Sequence, residues 1–199
     1  MKKFILFSLF LLITGTFFTV VRAQDKQDTT QAVPVGIRGE LIKDIQDVQD
    51  KIVSLAQAMP PEKYVWRPME GIRSVSEVFM HIAESNYMFP SVAGVPKPEG
   101  LSNDMEKTVT DKNEIINILT QSFDFIKKAI VNTSDADLEK PIKMFGQETT
   151  IRAVYLTAAT HMHEHLGQSI AYARMNTIVP PWTAKEQEEM AKKKADGNK

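Results

Sequence analysis

The residues of this chain best suited to chemistry are its histidines. There are four among 199 residues, and three fall in one stretch, Thr160-His161-Met162-His163-Glu164-His165-Leu166-Gly167-Gln168. Each helical residue turns by about 100°, so residues four apart share a face. His161 and His165 therefore point the same way, with Ile151, Val154, Ala158 and Tyr172, into a core. His163 goes with Leu156 and Ile170 on the other side. Two imidazoles one turn apart in an apolar interior need polar partners, and a metal ion is the most economical partner for several neutral imidazoles. A third ligand is then required, and His81 is the only histidine left to supply it. Three neutral imidazoles leave a tetrahedral zinc one open position, the pattern of a catalytic rather than a closed structural site. Imidazoles alone do not choose among zinc, nickel, copper and iron.

Helpers for such a site are fewer. Glu84 follows His81 by three and is the candidate catalytic carboxylate, able to orient a ligand or accept a proton; its alternative is a solvated helical side chain. Gln168 follows His165 by three, as a donor that orients the ligand or as a helix-packing hydrogen bond. Tyr172 reads as core and His163 as surface. Met80, Met88, Met144, Met162 and Met175 are scattered as core filler would be. The chain has no Gly-x-Ser-x-Gly elbow, phosphate-cradling Gly-rich loop or dinucleotide fingerprint. The residues three before His81, His161 and His165 are Val78, Ala158 and Met162, which excludes the Glu-x-x-His pair of di-iron bundles.

Composition narrows the class further. With no cysteine, the chain has no disulfide, no thiolate metal site and no Cys nucleophile. Met1-Lys2-Lys3 is a basic head, Phe4 to Val21 is almost wholly apolar, and Val21-Arg22-Ala23 offers a small-residue cleavage site. Residues 1–23 read as a secretory signal peptide cut after Ala23, the alternative being an uncleaved anchor. The lack of cysteine excludes a lipid-anchored lipoprotein. Cleavage would take away Lys2, Lys3 and Arg22 and no acid, leaving 21 basic against 25 acidic side chains of the original 24 and 25. A mildly acidic mature chain does not suit nucleic acid, which wants clustered Lys and Arg. The expected product is exported, periplasmic or secreted, without a membrane span after cleavage.

The elements that must position the histidines follow from periodicity. Residues 24–36 are polar and read as a flexible tether. Apolar residues at 37, 41, 45, 48, 52, 55 and 59 predict a first bundle helix, stopped by Pro60-Pro61. Glu62 to Pro68 is aromatic and bounded by proline, and is expected to pack across the bundle end. Ser74-Val-Ser-Glu77 is a capping box opening a second helix with the stripe Val75, Val78, Phe79, Ile82 and Phe89. His81 lies at the edge of that stripe, which suits a ligand near one end of a bundle and equally an exposed histidine. Pro90 and Gly94 are expected to end this helix. Val95 to Thr110 is too long for a tight helical hairpin and reads as a crossover or a lid. Asp111-Lys-Asn-Glu114 opens a third helix with the same reciprocal cap, buried through 115, 116, 119, 123, 126 and 130. Met144 to Glu148 allows a short hairpin or a loop. Thr150 caps a fourth helix to about Met175, with Asn176 expected in the left-handed conformation at its end. The charged residues 183–199 read as a frayed or disordered tail.

Trp66-Arg67-Pro68, Gly71-Ile-Arg-Ser74-Val-Ser-Glu-Val-Phe-Met-His81-Ile-Ala and His161-x-x-x-His165-Leu-Gly-Gln168 together resemble the DinB superfamily of bacterial four-helix bundles. The resemblance spans residues 37–182. It implies an all-α, up-and-down four-helix bundle with a long crossover between its second and third helices. It also implies three metal-binding histidines, His81, His161 and His165, one divalent metal ion, usually zinc or nickel, and frequent homodimers. Some members are thiol-dependent transferases or isomerases. One departure is Leu166, where the family commonly has Arg, so a positive charge beside the site is missing. Another is export from the reducing cytoplasm in which thiol cofactors are kept. The expected function is a metal-dependent hydrolase or group transferase of a small molecule. The alternative is a non-catalytic metal- or small-ligand-binding protein of the cell envelope.

Overall fold

The computed structural model describes residues 34–102 and 104–197. The expected signal peptide, residues 1–23, and most of the expected tether fall outside the described residues. Four long helices carry the apolar stripes: α1 (Ile37–Ala58), α2 (Val75–Val92), α4 (Lys112–Asn132) and α6 (Ile151–Met175). Shorter elements join them: α3 (Met105–Thr108), α5 (Asp135–Leu138) and the strands β1 (Pro141–Met144) and β2 (Gln147–Thr150). A last helix, α7, spans Pro181–Gly197. No helix among the described residues is long and apolar enough to cross a membrane.

The bundle core forms where periodicity places it. Leu41, Ile45, Val48, Ile52, Leu55 and Met59 are buried from the first segment, and Ile115, Leu119, Phe123, Ile126 and Ile130 from the third. The second helix buries Val75, Val78, Phe79, Ile82 and Phe89. The packing order is less obvious from sequence. α1 packs on α4 and α6, and α2 packs on the same two helices, so α1 and α2 face each other across the bundle diagonal. That order makes α2 and α6, which carry the histidines, direct neighbours.

The ends of α2 and α6 decide where those histidines stand. Ser74 accepts from the Glu77 amide at 3.3 Å and the Glu77 carboxylate accepts from the Ser74 amide at 2.6 Å, the reciprocal cap read from sequence. Ahead of it, residues 61–66 lie across the bundle end. Tyr64 is buried and donates its hydroxyl to the Ala56 carbonyl, and the Ser76 amide donates to the Tyr64 carbonyl. Thr150 caps α6 by accepting from the Ala153 amide.

Three expectations need correction. Of the two residues expected to end α2, Pro90 lies inside the helix, which runs to Val92, and Gly94 closes it, at φ 92° with its amide donating to the Ser91 carbonyl. Asp111 accepts from the Asn113 and Glu114 amides, without the return bond from Glu114. Asn176 is not left-handed at φ −97°. Its side-chain amide instead donates to the Tyr172 carbonyl, and the left-handed turn falls on Thr177 at φ 61°. Of the two readings of the segment before α6, the hairpin holds: it is antiparallel, pairs Ile142 with Thr149 and Lys143 with Glu148, and adds a small sheet beside the helices. The charged C-terminal stretch is helical, with no buried residue.

Loss of the Ser74 cap removes a bond that holds the first turn of α2. Ser74→Ala is expected to lower unfolding free energy by about 1 kcal/mol, read as a shifted urea midpoint at unchanged slope.

Candidate functional site

Because α2 and α6 are neighbours, the stripe edge of one meets the inward face of the other. His161 Nε2 lies 3.1 Å from His81 Nε2 and 3.1 Å from His165 Nε2. The three rings bring their ligand atoms within 4.8 Å of one another and could hold a metal ion. His165 is buried, His81 and His161 are half-buried, and Phe89 packs edge-on to His161 at 5.6 Å. His163 is exposed, with its Nε2 3.1 Å from the Asp44 carboxylate on α1.

Hydrogen bonds behind the rings decide which nitrogen faces inward. The Tyr172 hydroxyl donates to the Arg73 carbonyl at 3.2 Å and accepts from Gln168 Nε2 at 3.0 Å. This turns Gln168 Oε1 toward His165 Nδ1, 2.8 Å away. His165 therefore carries its proton on Nδ1 and aims an Nε2 lone pair at the centre. Across the site, Glu106 Oε2 stands 3.3 Å from His81 Nδ1 and fixes the same tautomer. Two lone pairs thus converge on His161 Nε2, an arrangement that repels unless a proton or cation lies among them. Nitrogens bound to a tetrahedral zinc sit about 3.3 Å apart, close to the spacing here. The donor set fits such an ion. The buried His161 Nδ1 has no hydrogen-bond partner among the described residues.

The environment keeps the His81 and His161 rings neutral. Burial pushes His161 down to about 4, helped by the neighbouring His165 and His81 and by Arg73. His81 is also lowered, by burial first and then by the charges of Arg73 and His165, against the opposing pull of Glu106. A neutral imidazole at physiological pH is the form that ligates.

The model of the DinB superfamily matches residues 44–169 of the chain, which takes in all three histidines. The chain belongs to the DinB superfamily. It is similar to the uncharacterized protein YjoA of Bacillus subtilis (strain 168), 27% identical over 123 residues, 60% of this chain and 78% of that one. Among solved structures, a DinB-like protein of Bacillus cereus ATCC 10987 superposes with TM-score 0.64 at 19% identity, covering 73% of this chain and 95% of its own. The YjoA structure gives 0.57 at 21% identity, covering 70% and 93%. A conserved protein from Enterococcus faecalis gives 0.59 at 13% identity, covering 71% and 97%. These structures share the fold of this DinB-superfamily chain.

The DinB crossover does more than connect. Along α2, Glu77, His81 and Glu84 form one polar stripe at helical spacing, and the short α3 docks on it. Lys107 donates to Glu77 at 2.8 Å, Glu106 meets His81, and the Glu106 amide donates to Glu84 Oε1 at 2.8 Å. Glu84, the sequence candidate for acid–base work, is thus a clamp on the segment that carries Glu106. Arg73 Nε donates to the other oxygen of Glu106 at 3.0 Å. Arg73, from the loop ahead of α2, sets a positive charge beside His81 and His161. Glu106 and Arg73 escaped sequence reading because neither lies on a histidine helix. The one available signal was the polar 77/81/84 stripe, which leaves a helix face in want of a partner.

A cavity of about 420 Å³ opens beside His81, lined by Glu84, Ser85, Met88, Lys97 and Leu101 among others. Trp66 does not plug it; its ring packs edge-on against Tyr172 at 5.2 Å.

His161 titrates at about 4 in the fold against 6.5 ordinarily, so between those values the unfolded chain binds more protons and stability rises with pH. The lowered His81 acts in the same sense. Chelator-treated protein is therefore expected to lose stability as pH falls from 7 to 4.5, and to lose less in His161→Gln. Equal losses in the two proteins, by urea unfolding, would refute the assignment.

Proposed function

We propose that His81, His161 and His165 bind one divalent cation, zinc or nickel, and that the protein is an exported metal-dependent hydrolase or group transferase acting on a small molecule. The observation that carries this reading is the convergence of three imidazole Nε2 atoms, with Glu106 and Gln168 holding the protons of two rings on the far nitrogen. A cation on three neutral imidazoles supplies Lewis acidity and lowers the pKa of a water bound to it. The chain's own part is preorganisation. Glu106 orients His81, Gln168 orients His165 through the relay from Tyr172 and the Arg73 carbonyl, and Phe89 closes one side of His161. Glu84 keeps Glu106 in place by clamping α3. The cavity beside His81 gives a small molecule room next to a ligand, which supports an enzyme, or the alternative of a non-catalytic small-ligand-binding protein of the cell envelope, over a purely structural ion.

Protein purified without added metal is expected to contain about one equivalent of zinc or nickel by elemental analysis, and His165→Ala to contain none. Glu106→Gln keeps shape but weakens acceptance from His81, and is expected to lower metal affinity about 10- to 100-fold in competition with a chromogenic chelator. Wild-type affinity in Glu106→Gln would remove that residue from the site.

Export rests on the basic head, apolar run and small-residue site of residues 1–23. Full-length chain made in a Gram-negative host is expected in the periplasmic fraction with Gln24 as its first residue. An intact Met1 terminus by mass spectrometry would count against cleavage.

A further inference from the structure

The Arg73 guanidinium is anchored along one edge only. Its Nε donates to Glu106, while its two Nη groups make no hydrogen bond among the described residues. Arg73 lines a second cavity, of about 480 Å³, together with Arg67, Lys107, Glu77, Glu106 and Gln168. Charge in this recess does not cancel, because three cations face two carboxylates. Glu77 is shared between Lys107 at 2.8 Å and Arg67 at 3.3 Å, and Glu106 among Arg73 at 3.0 Å, Lys107 at 3.7 Å and the neutral His81. An ion-pair latch for the crossover would need only two of those cations. The surplus charge and the unpartnered fork are what the latch leaves over.

A planar guanidinium with two free N–H groups is complementary to an oxyanion, which it holds through parallel charge-assisted bonds. The recess also adjoins the histidines. Glu106 touches His81 and Gln168 touches His165, so an anionic group seated there lies one side chain away from the triad.

We propose that the recess onto which Arg67, Arg73 and Lys107 open is an oxyanion subsite, taking the carboxylate or phosphate group of a small molecule whose other end reaches the three histidines. Its service to that molecule rests on the metal reading above; its affinity for an oxyanion does not.

The test is calorimetric titration of inorganic phosphate into the full chain at low salt. One phosphate is expected to bind. Arg73→Lys, which keeps the charge but lacks the fork, and Lys107→Gln are each expected to weaken it about tenfold or more, the loss of a charge-assisted hydrogen bond. Lys128→Gln, exposed on α4 away from both cavities, is expected to bind as wild type does. Lys107 is an exposed side chain, so its variant keeps the test open should Arg73→Lys fold poorly. A parallel titration with acetate separates the two anions: tighter acetate assigns a carboxylate, tighter phosphate a phosphate group. His165→Ala separates the subsite from the metal. Phosphate retained there, with metal lost, supports the recess alone. Phosphate lost in His165→Ala but bound at wild-type affinity by Arg73→Lys and Lys107→Gln would put the anion on the metal and overturn the proposal. So would folded wild-type protein that binds no phosphate.

Discussion

The chemistry of this fold depends on one packing relation, the lateral contact of α2 with α6. Each helix alone would bury polar rings at a loss, since imidazoles taken from water need partners. Set side by side, the two helices supply those partners to each other, and the three rings meet at 4.4 to 5.1 Å between centroids, two pairs edge to face and the third tilted. The diagonal placement of α1 and α2 is what frees α2 to lie against α6. A bundle in which consecutive helices were simply neighbours would have to satisfy the same rings in another way.

Around that contact the polar groups form an ordered shell. One arm runs from the Arg73 carbonyl through Tyr172 and Gln168 to His165, and the other from Arg73 Nε through Glu106 to His81. Arg73 thus serves both arms, with its backbone in one and its side chain in the other. Glu77 shows how firmly the crossover is held. Burial raises its carboxyl, but the Lys107 and Ser74 hydrogen bonds and the Arg67 charge outweigh that and hold it at about 2. A short four-residue helix has little stability of its own, so α3 owes its position to these contacts and to the buried Met105.

What could be read from sequence was whatever a local period encodes. The stripes of α1, α2, α4 and α6, the Ser74 cap and the shared face of His161 and His165 all follow from spacings within one element. His81 marked the boundary of that reasoning: at a stripe edge its direction was undecided until a neighbour was known. Glu106 lay beyond it, because nothing in Met105-Glu106-Lys107-Thr108 announces a partner 25 residues upstream. The ends of helices divided similarly. Ser74 and Glu77 closed their box as read, whereas at the end of α6 the left-handed turn passed from Asn176 to Thr177, once Asn176 used its side chain on the Tyr172 carbonyl.

The separation of the three rings along the chain has its own consequence. His161 and His165 are four residues apart, but His81 stands 80 residues from His161. An unstructured polypeptide can offer an ion only the nearer two at small entropic cost, and closing the longer loop without a fold to close it is unfavourable. Three-fold ligation is therefore available only after both halves of the chain have docked, which makes possession of the complete ligand set a signature of finished folding.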